Sequence, residues 1–150
     1  MYIIKSQPLL KALEEKAMIR KVSHIGLAVE NLDQARSFFQ ENFGFSTSDQ
    51  ESFGELIFSF IPMEGASLEL LQSTEEDGQI AKFIRNRGQG MHHISLEVDD
   101  IQGELDRLKA KGIRLINETP YPNAHKDLVA FIHPKSTFGI LIELIQKTHT

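Results

Sequence analysis

Alternating apolar and polar residues predict a β-strand at residues 22–29 and another at residues 91–98. Each strand leads into a helix with one apolar face, at about 31–43 and 100–111, and a glycine follows each helix. A weaker helix is predicted at about 77–87. Three further strands are predicted in each half, near 45–49, 55–62, 66–72, 113–117, 127–133 and 139–146. The order β-α-β-β-β therefore occurs twice.

The repeat is visible in the residues as well as in their order. Residues 24–29 match residues 93–98 at an offset of 69, and residues 68–72 match residues 142–146 at an offset of 74. Such internal similarity is typical of a duplicated structural unit. The pattern therefore predicts an α+β fold built from two βαβββ modules.

The chain length fits one domain preceded by a short arm. Its 150 residues, of which 41% are hydrophobic and 25% charged, are within the usual range of a globular domain with one substantial core. Pro8 can occupy the first turn of a short helix that continues to Met18, so residues 1–21 are predicted to form an N-terminal helical arm. A single domain is expected over residues 22–150. Its modules are expected at about 22–74 and 91–147.

Charge and composition exclude several classes of partner. The formal net charge of -5 leaves no basic surface of the kind that nucleic acid or an anionic membrane attracts, so neither is expected as a partner. No stretch approaches the roughly 18 continuous apolar residues of a membrane span. The N-terminal residues lack the apolar core of a signal peptide, which predicts a soluble, cytoplasmic protein.

Two histidines occupy equivalent positions at the start of the repeated strands. Side chains alternate between the two faces of a strand, so His24 and His93 share a face with small or polar residues, while the aliphatic residues face the helices. A strand histidine on its own is usually structural. Its recurrence at the equivalent position of a second module favours a site in an open concavity.

Two glutamates recur in the same way near the end of each module. Glu69 and Glu143 each lie between apolar neighbours, and an isolated buried carboxylate is costly unless it is paired, hydrogen-bonded, protonated or bound to a metal. The chain has no cysteine, so any metal must be held by nitrogen and oxygen ligands. The predicted ligands of one divalent metal ion are His24, Glu69, His93 and Glu143. A duplication that kept these residues without the metal is the alternative.

The remaining histidines are weaker candidates. His92 alternates to the helix-covered face, so we expect a buried or hydrogen-bonded side chain and not a ligand. His125 and His133 lie in a loop and a turn, where either substrate contact or plain turn structure fits. His149 lies on a predicted disordered tail. A solvated helix face, with ligand phosphate groups as the alternative, is expected for the basic residues Lys82, Arg85 and Arg87.

Several segments resemble one enzyme superfamily. SLELL, IAKFI, GMHHISLEVDDI and FIHPKSTFGILIEL are similar to segments of the vicinal oxygen chelate superfamily, and most of all to its methylmalonyl-CoA epimerases. The resemblance covers about residues 22–147. It implies an open, curved, barrel-like sheet with the helices outside, a homodimer, and a cobalt, nickel, manganese or zinc ion on the four predicted ligands.

The resemblance also implies a reaction. The substrate would be an acyl-CoA thioester, methylmalonyl-CoA, that chelates the metal through its thioester and carboxylate oxygens. Loss of the proton on the carbon between them gives a stabilised enolate, and reprotonation on the other face inverts that carbon. The implied catalytic residues are Glu143, as a ligand that is also a base, and Glu69.

The chain departs from the epimerase pattern at several positions. A further catalytic glutamate of some epimerases aligns with Ile57, and a small shift would put Glu55, two residues earlier on the same strand face, in its place. Lys126 and Phe138 stand where glycine is usual.

Three other functions fit the same residues. A glyoxalase I-type lactoylglutathione lyase would use Glu69 and Glu143 as paired bases, although the helix at about 78–86 and the HPKS turn favour an epimerase. A non-catalytic protein that binds a small molecule or antibiotic needs no metal, so four retained ligands argue against it. An extradiol dioxygenase needs two histidines and one carboxylate around iron, and Glu69 as a fourth ligand would crowd its oxygen site.

Overall fold

The computed structural model describes residues 19–148. The helix predicted within residues 1–18 and the tail predicted at His149 lie outside the described residues. The first strand begins at Ile19, before the predicted boundary, so residues 19–21 extend the sheet and do not belong to the arm. Within the described range, no helix is both long and apolar enough to cross a membrane.

Eight strands and three α-helices alternate along the chain in two similar halves. In chain order, the elements are β1 (Ile19–Ala28), α1 (Leu32–Phe43), β2 (Glu51–Phe53), β3 (Leu56–Ile61), β4 (Ser67–Ser73), α2 (Gln79–Arg87), β5 (Gly90–Val98), α3 (Ile101–Ala110), β6 (Tyr121–Pro122), β7 (Leu128–Ile132), a 3-10 helix (Pro134–Ser136) and β8 (Ile142–Gln146).

All eight strands form one sheet in the order β2-β3-β4-β1-β5-β8-β7-β6. The first strand of each module pairs in parallel with the last strand of the same module, β1 with β4 and β5 with β8. The two modules join at the centre, where β1 and β5 run antiparallel. The predicted fold of two βαβββ modules is confirmed as a curled, open sheet, with β2 and β6 at its edges.

The helices α1 and α3 begin with equivalent hydrogen bonds. Asn31 and Asp100 are their N-caps, and each accepts a hydrogen bond from the backbone N–H three residues later. Gln72 and Gln146, at the ends of the repeated glutamate segments, accept the N–H of the first residue of α1 and of α3 at 2.7 and 2.9 Å. Each module therefore ties its last strand to its own helix.

The two faces of the sheet have different coverings. On one face, Leu27 of β1 and Val29, which follows β1, pack around Leu32 of α1, as the alternation predicted. Burying such aliphatic side chains stabilises the fold by roughly 1.5–3 kcal/mol each. On the other face, Ile80 of α2 packs in a cluster with Ala28 of β1 and with apolar residues of β3 and β4. The helix between the modules thus forms part of the wall around the face that carries the histidines.

The prediction of a strand near residues 45–49 is wrong. In this region only Glu51–Phe53 form a strand, at the edge of the sheet. The carbonyl of Ser48 accepts hydrogen bonds from the Arg36 guanidinium at 3.0 Å and from the Ser59 hydroxyl at 2.6 Å. Side chains therefore satisfy the backbone where a strand ladder was expected.

The strand predicted near 113–117 is also wrong, because only Leu115 forms a single bridge to β7. The side-chain carbonyl of Asn117 accepts the N–H of Phe131 at 2.8 Å and takes the place of a ladder bond. Conversely, Tyr121–Pro122 form the edge strand β6 within a segment predicted as a loop.

Two residues have the left-handed backbone conformation that normally favours glycine. Lys126 has a φ of 66° and Phe138 a φ of 58°. An L side chain is unfavourable there because its Cβ approaches the following carbonyl oxygen, which explains why glycine is usual at these positions in the family that the sequence resembles. Phe138 is 99% exposed, so its ring gains no packing energy to offset the strain.

We predict that Phe138→Gly stabilises the protein. Removing the strained Cβ should raise the free energy of unfolding by about 1 kcal/mol, which corresponds to a rise in Tm of roughly 2–4 °C for a domain of this size. Phe138→Ala is the matched control, since it removes the ring and keeps the Cβ. Thermal unfolding of the three proteins should show a gain for glycine alone, and an equal gain for alanine would contradict the strain argument.

Candidate active site

The strand register arranges the site in two rows across the centre of the sheet. In one row, Gly26 of β1 lies between Glu69 on β4 and His93 on β5. In the other row, Ser95 of β5 lies between His24 on β1 and Glu143 on β8. Each row thus carries one imidazole and one carboxylate with a small residue between them.

The small central residues make room for the larger side chains. A Cβ built on Gly26 would overlap the imidazole of His93, so only glycine leaves space for that ring. Ser95, the equivalent residue of the second row, is completely buried. The positions of the four larger side chains therefore depend on two residues that have little or no side chain of their own.

The structure brings all four predicted ligand side chains together. His24 Nε2 lies 3.1 Å from His93 Nε2. The same His24 atom lies 3.4 Å from Glu69 Oε1 and 3.3 Å from Glu143 Oε1. His93 Nε2 lies 3.7 Å from Glu69 Oε1. All four side chains are mostly buried, with at most 13% of any one exposed.

Contacts on the far side of each ring direct the Nε2 atoms towards each other. The hydroxyl of Ser23 lies 3.3 Å from His24 Nδ1, and His92 Nδ1 lies 3.0 Å from His93 Nδ1. The ring of Phe60 meets His24 edge to face at a centroid distance of 5.9 Å. Such outer contacts fix the orientation and tautomer of histidines that bind metals.

Burial shifts the pKa values of these groups in different directions. It raises the pKa of Glu69 to about 7, an effect that His24 opposes and Glu143 reinforces. Burial also lowers the pKa of His93 to about 4. Burial likewise disfavours the charge of Glu143, but the attraction of His24 and His93 outweighs it, and the pKa lies below its usual value. At neutral pH, His93 is therefore neutral, Glu143 is ionised and Glu69 is near half-protonation.

The donor atoms fit a divalent metal ion. His24, His93 and Glu143 each place one donor atom within 4.8 Å of the others, and Glu69, the fourth predicted ligand, is not part of this group. Among the described residues, Glu143 Oε1 is buried without a hydrogen-bond partner, and a bound cation would satisfy it. Two imidazoles and a carboxylate suit cobalt, nickel, manganese and zinc alike, so the set could bind a metal without selecting which one.

A cavity of about 240 Å³ opens beside His24, Glu69, His93 and Glu143, which we call the donor cluster. Its walls combine apolar side chains with a few polar groups, as is usual for sites that bind small molecules. The apolar walls include Phe58, Phe60, Leu71, Ile80, Val129 and Phe131.

Tyr121 was missed by the sequence analysis. It lines the cavity from the edge strand β6, and burial together with the nearby Glu143 carboxylate raises the pKa of its hydroxyl. The hydroxyl therefore stays protonated and can donate a hydrogen bond. The segment around it was predicted as a loop, so no strand periodicity pointed Tyr121 towards the site.

The two candidates for a further base are separated by the structure. Ile57 packs around Leu32 of α1, on the helix-covered face. Glu55 lies in the turn before β3 and lines the cavity, where its carboxylate accepts the N–H of Gln79 at 3.1 Å. The expectation that both share one strand face is wrong, because the turn interrupts the alternation.

The other histidines divide between the cavity and its surroundings. His92 is half-buried, packs edge to face on Phe83, touches His93 and also lines the cavity. His133 has a turn role, since its Nδ1 accepts the N–H of Lys135 at 3.1 Å. His125 lines the cavity. As expected for a solvated helix face, the basic residues of α2 are all exposed: Lys82, Arg85 and Arg87.

Comparison with known proteins identifies the family. The model of the Glyoxalase/Bleomycin resistance protein/Dioxygenase superfamily matches residues 23–131. The mitochondrial methylmalonyl-CoA epimerase of Dictyostelium discoideum is 36% identical over 135 residues, which cover 88% of this chain and 81% of that protein. The ethylmalonyl-CoA/methylmalonyl-CoA epimerase of Cereibacter sphaeroides is 35% identical over 134 residues, which cover 86% of this chain and 99% of that protein.

Solved structures agree with these relatives. A methylmalonyl-CoA epimerase in complex with methylmalonyl-CoA and NH4+ superimposes with a TM-score of 0.82 at 25% identity, over 87% of this chain and 96% of that one. The chain belongs to the glyoxalase/bleomycin resistance/dioxygenase superfamily, which confirms the resemblance. Because its relatives at about 35% identity over most of its length are epimerases, it is an epimerase-like enzyme within that superfamily.

We predict that metal binding releases a proton near neutral pH. Below the raised pKa of Glu69, about 7, its proton must leave before the carboxylate can bind a cation, so the affinity for Co²⁺ should fall up to about tenfold per pH unit below that value and level off above it. Calorimetric titration with Co²⁺ at about pH 6 and about pH 8, in buffers of different ionisation enthalpy, measures the proton count. Glu69→Gln should flatten this dependence, and an affinity of wild-type protein that does not change with pH would contradict the prediction.

We also predict that Gly26→Ala weakens metal binding while the fold remains. The new methyl group must displace the His93 ring, and loss of a ligand's orientation typically lowers metal affinity by about 10–100-fold. Calorimetric Co²⁺ titration measures the loss, and circular dichroism checks the fold. Ser67→Ala is the matched control, because Ser67 pairs with His24 on the neighbouring strand and the change adds no atom. Undiminished affinity in Gly26→Ala would show that His93 is not a ligand.

Proposed function

We propose that the chain is a metal-dependent epimerase that inverts the α-carbon of methylmalonyl-CoA through an enolate, with a divalent metal held by His24, Glu69, His93 and Glu143. The observation that carries the proposal is the convergence of two imidazoles and two carboxylates in one buried cluster. The names of the relatives favour this reaction over a glyoxalase, a dioxygenase or a sequestering protein.

The positions of the two carboxylates in the sheet support roles on opposite sides of one carbon. Glu69 is on β4 and Glu143 on β8, and the central strands β1 and β5 separate them. His24 Nε2 contacts both of them, at 3.4 Å from Glu69 Oε1 and 3.3 Å from Glu143 Oε1. A substrate carbon above the histidine pair would therefore have one carboxylate on each side, as inversion requires.

Their different pKa values divide the proton-transfer roles. Glu143, whose pKa is lowered, is ionised at neutral pH and accepts the proton from the carbon between the thioester and the carboxylate. Glu69, whose pKa is raised to about 7 in the metal-free site, is the candidate donor on the opposite face, and it would carry that proton while its carboxylate is not bound to the cation. Glu143 then releases its proton to solvent and Glu69 takes one up, which restores the starting state.

The bound metal would act as a Lewis acid that stabilises the charge developing on the substrate oxygens. The residues around it exclude water, which strengthens electrostatic interactions within the cavity. Tyr121, with its protonated hydroxyl, is suited to donate a hydrogen bond to a substrate oxygen. The apolar walls leave space for the alkyl group and for the start of the thioester arm.

We predict that solvent deuterium enters the α-carbon of racemic methylmalonyl-CoA only when the metal and both carboxylates are present. Metal-stripped protein, reloaded separately with cobalt, nickel and zinc, should restore exchange that mass spectrometry detects. Glu143→Gln and Glu69→Gln should each slow exchange by about 10²–10⁴-fold, the usual contribution of a positioned acid or base. The exposed Glu64→Gln is the control and should keep wild-type rates. Protein that binds a metal and shows no exchange would rule out the proposed reaction.

A further inference from the structure

The two edge strands of the sheet meet through one ion pair. β2 and β6 are the first and last strands in the sheet order. Nevertheless, Glu51 Oε1 on β2 lies 2.7 Å from Nε2 of His125, which follows β6. Within residues 19–148, no other hydrogen bond or ion pair joins residues 49–55 to residues 119–127. The sheet therefore curls far enough for this pair, which we call the edge bridge, to join its two edges.

The turn that carries His125 is itself firmly held. The side-chain carbonyl of Asn123 accepts the N–H of His125 at 2.9 Å and the N–H of Asp127 at 3.0 Å. Asp127 is buried, and its carboxylate accepts the N–H of Thr148 at 3.0 Å. The hydrogen bonds of the turn therefore fix the backbone position of His125, and the edge bridge fixes the orientation of its imidazole ring.

His125 forms part of the aromatic wall of the cavity. Its ring lies 6.2 Å from that of Phe58 and 6.0 Å from that of Phe60, centroid to centroid. Phe60 in turn meets the ring of His24. The side chains of the edge bridge are 45% and 38% exposed, so the pair lies where the cavity meets solvent.

The chemistry of the substrate assigns a role to this wall. A 2-alkylmalonyl thioester has two oxygen-bearing groups and one alkyl group on its reacting carbon. The oxygen-bearing groups belong at the donor cluster, which leaves the alkyl group to the apolar walls. Ala124, next to His125, packs there with Phe58, Leu71 and Ile80. Among these wall residues, His125 is the one held by a partly exposed ion pair.

We propose that His125 limits the size of the 2-alkyl substituent that the cavity accepts, and that Glu51 is the positioning residue that holds its imidazole in place. This inference rests on the proposed function and extends it by naming a determinant of which malonyl thioesters are substrates. Opening the edge bridge would widen the cavity beside Phe58 and Phe60, the wall assigned to the alkyl group.

The test compares racemic 2-methyl-, 2-ethyl- and 2-propylmalonyl-CoA in metal-loaded full-length protein. Deuterium incorporation gives kcat/KM, and calorimetry gives Kd, because a racemic substrate undergoes no net reaction. In His125→Ala, removal of the ring should raise the propyl-to-methyl ratio of kcat/KM by about tenfold, as expected for a methylene-sized change in an apolar pocket. The ratio of the Kd values should shift with it.

Variants of the partner test the positioning role. Glu51→Ala should shift the ratio in the same direction by about threefold, since a partly exposed ion pair is weaker than a packed wall. Glu51→Gln, whose amide oxygen can still accept the His125 N–H, should keep the wild-type ratio. The double variant Glu51→Ala and His125→Ala should match His125→Ala alone, because Glu51 acts through that ring. Glu118→Gln breaks the exposed 3.0 Å pair with Lys109, far along the sequence from the cavity residues, and should change nothing.

The outcomes separate the inference from the proposed function. If His125→Ala leaves the propyl-to-methyl ratio of kcat/KM unchanged, or lowers kcat/KM equally for all three thioesters, His125 does not have the proposed role. Additive effects in the double variant would overturn the positioning role of Glu51. If wild-type protein shows no exchange while the Kd ratios still shift in His125→Ala, the epimerase proposal fails and the role of His125 in selecting the substituent stands.

Discussion

Four ionisable side chains are crowded together in one mostly buried cluster, and the electrostatics of that crowding shape the rest of the site. Without a cation, burial raises the pKa of Glu69 to about 7, and the charge of Glu143 adds to that effect. The imidazoles can approach each other because His93 stays neutral. A divalent cation would reverse the balance, since each group that is unfavourable alone becomes a donor.

The sheet makes room for these four side chains because small and large residues alternate from one strand to the next across each row. Gly26 and Ser95 occupy the central position of their rows and leave the space that the larger side chains need. The glutamines at the ends of β4 and β8 hold those strands to the helices of their own modules. The position of each glutamate is thus fixed by the pairing of its strand with the first strand of the module and by the glutamine that ties its strand to the helix.

Much of this arrangement could be predicted because it repeats. The central strands, the capped helices and the four donor residues follow from periodicity and from two matching segments. The edges could not be predicted in this way, because Ser48 and Asn117 replace ladder hydrogen bonds with side-chain contacts that leave no periodic signal. The contact between Glu51 and His125 joins residues 74 positions apart and has no counterpart in the repeat.

The antiparallel pairing of β1 with β5 also bears on how such a site can originate. Gly26 faces His93 and His24 faces Ser95, so the centre of the sheet has approximate twofold symmetry. A chain with a single module would hold half of the donor set, and two identical copies would complete it as a symmetric dimer. Identical copies, however, would give both glutamates the same surroundings. Within one polypeptide the two halves can differ, and the proposed division between a proton acceptor and a proton donor depends on that difference.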